Sequence, residues 1–159
     1  MQSVEEFLAY AINLELEAAN RYGLLADAME AGGNHEVCKL FRRLADYSRL
    51  HLAEARARGG FRDIPKMKVD EFVWPELESP ETAAIWAADP FIGREQALEI
   101  ARDAETAGLD YYQRVLDTTT DPEIKTLAKE FVAEERTHVA ELDKWIAANK
   151  AGKTLTVDP

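Results

Sequence analysis

The chain has 159 residues, the size of one domain, and 47% of them are hydrophobic, enough for a single core. Its 30 acidic and 19 basic side chains give a net charge of −11, which opposes phosphate backbones and anionic lipid and excludes nucleic acid and membrane surfaces as expected partners. Cys38 is the one cysteine, so there is no disulfide framework, zinc knuckle or Cys-x-x-Cys motif.

The N-terminal stretch MQSVEEFLAYAINLELEAA is acidic rather than basic, and no apolar run approaches the ~20 residues of a membrane span. The expectation is a soluble, unprocessed protein of the reducing cytoplasm. Ser3 and Glu6 have the spacing of a capping box, and apolar residues then recur every three or four positions, which predicts a first helix over about 4–30. AGGNH makes a short turn. A second helix is expected over about 35–58, stopped by Gly59 and Gly60. Between 61 and 90 the periodicity fails and Pro65, Pro75, Pro80 and Pro90 punctuate a long connection with room for one short helix around PETAAIWAA. Phe61, Ile64, Phe72, Trp74, Leu77 and Trp86 give it too much apolar surface to stay solvated, so it is expected to pack on the bundle or on a partner subunit. A third helix is predicted over about 91–118. TTTDPE is a turn with Pro122 in a first-turn position, and a fourth helix runs to about residue 149. Residues 1–150 form the expected domain, with 151–159 a fraying tail.

Two helix pairs with short turns, joined by one long crossover, is the connectivity of an all-α, ferritin-like four-helix bundle. A bundle helix buries a seam whose steps alternate four and three residues. In the first helix that seam is Val4, Leu8, Ala11, Glu15, Ala18, Tyr22, Leu25 and Met29; in the third it is Leu98, Ala101, Glu105, Gly108, Tyr112 and Val115. The second gives Val37, Phe41, Leu44, Ser48, His51 and Ala55, and the fourth Ile124, Ala128, Phe131, Glu135, His138, Leu142 and Trp145. The chain therefore reads as a duplicated helix pair, each half setting a carboxylate on one helix near a histidine on the other.

An ionised glutamate buried alone costs several kcal/mol, and the seams carry no lysine or arginine to pair with it. A dication held by carboxylate and imidazole supplies the missing charge, and Glu-x-x-His puts both ligand types on one face of a helical turn. A lone Glu-x-x-His is more often a solvated face; four matched seams shift the balance toward a metal site. Glu17, Glu54 and Glu134 fall off the seams and read as surface residues. Tyr22 and Tyr112 read equally well as core aromatics and as hydrogen-bond partners of the seam glutamates.

The stretches ELEAANRY, ETAGLDYY and EERTHVAEL resemble the rubrerythrin and ferritin-like di-iron carboxylate family, over about residues 4–148. The resemblance implies that Glu15 and Glu105 are terminal carboxylate ligands, His51 and His138 imidazole ligands, and Glu135 a carboxylate bridging two iron ions. It also implies a homodimer or larger assembly, and oxidoreductase chemistry with peroxide or dioxygen. The second helix departs from the pattern: SRLH stands where the family has Glu-x-x-His, so Ser48 replaces a second bridging carboxylate. The remaining ligands can bind two ions with water or a small anion filling the gap, or a single metal, zinc included. A serine is too short to bridge, so an opening is expected beside His51 on the second helix. The family's fused four-cysteine iron module is absent from this sequence, so reductive turnover requires a separate electron donor. The leading expectation is a peroxidase or ferroxidase; the alternative is a non-catalytic metal-binding or iron-handling protein.

Overall fold

The computed structural model describes residues 3–60, 62–67, 72 and 93–152. Ser3 caps the first helix, α1 (Val4–Ala31), its Oγ accepting from the Glu6 N–H at 3.1 Å. The turn after α1 needs a backbone conformation open to glycine, and Gly33 has φ +81°. Asn34 then caps α2 (His35–Gly59), its Oδ1 accepting from the Val37 N–H at 3.4 Å. Gly60, with φ +56°, ends α2 in a conformation that costs any residue with a Cβ.

The third helix, α3, spans Arg94–Thr118 and the fourth, α4, Pro122–Lys150. The helix predicted from about residue 91 thus starts at Arg94, because Gly93 has an extended backbone and takes the cap position. Asp121 caps α4 by accepting from the N–H groups of Glu123 at 2.8 Å and Ile124 at 3.2 Å, and Pro122 sits in the first turn, where its missing N–H has no helical partner to lose.

The apolar seams bury in two clusters, one at each end of the bundle. One joins Tyr22, Met29, Phe41 and Leu44 to Leu98, Ala101, Leu142 and Trp145. The other joins Phe7, Leu8, Leu14 and Ala55 to Tyr112, Ile124, Phe131 and Val132. The start of α3 therefore lies at the end of the bundle where α1 turns into α2, while α2 finishes at the opposite end. The crossover thus joins two helices that meet it at opposite ends of the bundle, in keeping with ferritin-like connectivity. Its first described residues lie on the second cluster: Ile64, Met67 and Phe72 pack there, and the Phe72 ring meets Tyr10 edge-on at 4.8 Å. Arg62 fastens the same segment by ion pairs to Glu5 at 3.2 Å and to Glu123. Gly59 lies close under this segment: a Cβ there would come within 2.6 Å of Ile64 Cδ1, and the end of that side chain would have to shift. The expectations placed on Phe61, Trp74, Leu77, Trp86, the short helix around PETAAIWAA and the tail from 153 fall outside the described residues.

Among the described residues there is no strand, and no helix is long and apolar enough to cross a membrane.

Candidate metal centre

Between the two apolar clusters the seams turn polar together. Glu15, Ser48, His51, Glu105 and Glu135 are all buried, and His138 is three-quarters buried. Each arrives there by its helix register: seven residues is two turns, so the glutamate and tyrosine of α1 or α3 share the inward face, and Glu135 and His138 are one turn apart on α4.

The groups meet in pairs, two across helices and one within α4. His51 Nδ1 lies 3.6 Å from Glu15 Oε2, and His138 Nδ1 lies 3.6 Å from Glu135 Oε2 and 3.9 Å from Glu105 Oε2. The two imidazoles stack at the centre. Ligand atoms of His51, Glu135 and His138 all fall within 4.8 Å of one another. Tyr112 lends its hydroxyl to Glu15 Oε1 at 3.5 Å, so its polar contact is with the carboxylate of α1 and not with Glu105 of its own helix. Tyr22 stacks on Phe41 in the other cluster, with ring centroids 6.0 Å apart.

This donor set suits a divalent ion. His51 Nδ1, Glu105 Oε2 and His138 Nδ1 are buried and make no hydrogen bond, a costly arrangement for polar atoms unless something else coordinates them. Carboxylate oxygens and imidazole nitrogens are what iron, zinc and manganese accept. The charges show the same tension. Burial opposes a proton on His51, but the carboxylates of Glu15, Glu105 and Glu54 outweigh it and raise its pKa. Burial and the neighbouring His51 lower His138 to about 4, against the pull of Glu105.

The carboxylates read as surface residues divide. Glu54 is exposed, but Glu134 is half-buried, held by Arg58 at 2.6 Å, with its pKa raised by burial and by Glu54 against the pull of Arg58. Glu17 is half-buried and faces a surface hollow shared with Arg21 and Arg49, away from the centre. His35 is exposed at the start of α2.

A cavity of about 270 Å³ opens beside the histidines, with His51, Glu105 and His138 on its inner side. The cavity lies next to His51 as expected, but it is displaced: Ser48 is not on its wall, and α2 contributes Leu44 and Tyr47 beside His51. Ser48 is buried one turn before His51. Helical periodicity could not have shown this cavity, because it depends on which side chains of α2 and α4 face each other.

The family model for rubrerythrin matches residues 6–146. A solved structure, that of an uncharacterized conserved protein from Magnetospirillum magnetotacticum MS-1, is similar to this chain at 40% sequence identity with a TM-score of 0.66, covering 91% of this chain and 94% of its own. No curated protein matches the chain.

Proposed function

The chain belongs to the rubrerythrin family, and from that premise we propose that its buried carboxylate and histidine cluster holds two iron ions and serves the reduction of peroxide or the oxidation of ferrous iron. The observation that carries this reading is the burial of Glu15, Glu105 and Glu135 around two imidazoles whose inward nitrogens make no hydrogen bond. Glu15 with His51, and Glu105 with His138, would each hold one ion, and Glu135 would be the shared carboxylate, a reading supported by its closeness to His138. A bound ferrous pair supplies Lewis acidity and the two electrons that, with two protons, convert one hydrogen peroxide to two waters.

The protein's own groups supply the rest. Tyr112 fixes the orientation of Glu15 from the apolar cluster behind it. The Phe7, Tyr112 and Phe131 rings exclude water from that flank, so access is from the cavity beside His51. The proposal includes a homodimer or larger assembly, a separate electron donor and a cytoplasmic setting. A second reading, a non-catalytic metal-binding or iron-handling protein, draws support from Ser48, which is buried where a second bridging carboxylate would stand. Metal analysis after purification without chelator, followed by addition of peroxide to the ferrous-loaded protein, tests both. Two irons per chain oxidised rapidly by peroxide is the result expected. Iron bound but not oxidised favours the second reading, and absence of metal defeats both.

A further inference from the structure

α2 and α4 correspond through a shift of 87 residues, so the flanks of the central histidine pair can be compared position by position. On one flank Arg58 of α2 reaches Glu130 and Glu134 of α4 at 2.8 and 2.6 Å, with its guanidinium carbon 5.2 Å from the centre of the Phe131 ring. That ion-pair cluster bridges the two helices. On the other flank the corresponding residues are Trp145 for Arg58, Arg43 for Glu130 and Tyr47 for Glu134. Here, among the described residues, no ion pair joins α2 to α4. The Tyr47 and Trp145 rings stand 6.3 Å apart at 30°, and Arg43 lies by the ring of Tyr47, off the cavity wall. The space left between them is the cavity of about 270 Å³.

Three properties of this space select a ligand. At ~30 Å³ per water it has room for about nine water-sized groups, far more than hydrogen peroxide or dioxygen needs. Its walls are Leu44, Tyr47, Leu142 and Trp145, apolar and aromatic surface that stabilises an organic body and gives a small diatomic nothing to hold. Its carboxylates, Glu141 at the mouth and Glu105 on the inner side, outnumber the single proton that the imidazole pair carries, and so oppose an organic anion.

We infer that this cavity binds the apolar body of a neutral organic molecule of roughly ten non-hydrogen atoms, with its polar end against His51 and His138. Under the iron and peroxide reading, on which this assignment of substrate class rests, the matching class is an alkyl or aryl hydroperoxide.

The test uses cumyl alcohol, a neutral and redox-inert aryl alcohol, titrated into the metal-free full-length protein by calorimetry. Saturable binding with a dissociation constant of about 1 mM or tighter is expected. Thr137→Trp should weaken it at least tenfold, because Thr137 is an exposed residue on the cavity wall where a larger side chain narrows the entrance without entering the core. Leu44→Trp, which fills the cavity from inside, should do the same. Benzoate should bind at least tenfold more weakly than the alcohol. No saturable binding in the parent, or equal binding in parent and both variants, overturns the inference; benzoate binding as tightly as the alcohol overturns the neutral class. A parallel cobalt titration of the parent separates the two readings: cobalt bound without the alcohol defeats the cavity assignment alone, and alcohol bound without cobalt defeats the proposed function alone.

Discussion

The imidazoles of His51 and His138 lie face to face, with ring centroids 3.7 Å apart and planes 15° from parallel. Two imidazolium rings at that spacing repel, so the metal-free pair holds one proton more readily than two. The surrounding carboxylates place that proton on His51, whose pKa is raised, while His138 falls to about 4. In an imidazole NMR titration of the metal-free protein, one ring should titrate above the ordinary value of ~6.5 and the other near 4. The stability linkage runs in opposite directions for the two. The contribution of His51 is fully present below its unfolded pKa and is lost as pH rises through its folded pKa. That of His138 is present above pH ~6.5 and is lost as pH falls toward 4. Two rings titrating together near 6.5 would contradict the stacked arrangement.

Glu105→Gln should move stability and metal binding in opposite directions. The glutamate is buried, with one carboxylate oxygen making no hydrogen bond, so removing its charge relieves the metal-free protein of a desolvated anion. The melting temperature in chelator should rise, by ~2–4 °C for each kcal/mol relieved. Metal affinity should fall at least tenfold. A glutamate serving only to hold the fold would give a lower melting temperature and no change in metal binding.

Ser48 and Glu135 occupy equivalent positions one turn before His51 and His138, and both are buried. Glu135→Ala should abolish tight metal binding if, as proposed, its carboxylate is shared between the ions. Ser48→Glu should strengthen retention of a second ion by restoring the missing ligand. Ferrous titration of parent and variants checks this. Two equally tight ions per chain in the parent, unchanged by Ser48→Glu, would make Ser48 incidental.

Tyr112→Phe removes the hydroxyl that meets Glu15 at 3.5 Å and leaves the ring in its aromatic cluster with Phe7 and Phe131. Folding should survive, with a stability change within about 1 kcal/mol, because this hydrogen bond is long. Metal affinity should drop by about tenfold as Glu15 loses its orientation. Melting curves and metal competition assays on the same variant separate the two effects, and a loss confined to stability would mark Tyr112 as a core residue only.

Four helices, the cap of the first, the stop of the second and the inward residues were legible in the sequence because each depends on local physics. Ser3 satisfies an N–H group one turn away, the α2 terminus falls at the paired glycines, and a period near 3.6 fixes which residues share a face. The same period put Glu15, Ser48, His51, Glu105, Glu135 and His138 on seams, since carboxylates and imidazoles interrupting an apolar line are visible without coordinates. What faces what across the bundle was not legible. Tyr112 stands seven residues from Glu105, ~10 Å along its own helix, and only the packing of α3 on α1 brings its hydroxyl to Glu15 instead. The stacking of His51 on His138 likewise comes from the approach of α2 to α4, and their divergent affinities for a proton come from burial and from the carboxylates that α1 and α3 bring to the pair. The cavity beside them follows from a difference between repeats: Arg58 finds Glu130 and Glu134 across one flank, whereas Trp145 finds Tyr47 across the other. Periodicity fixes direction within one helix, but distance between helices is set by the volumes and charges of side chains far apart in the chain, and that only the tertiary structure decides.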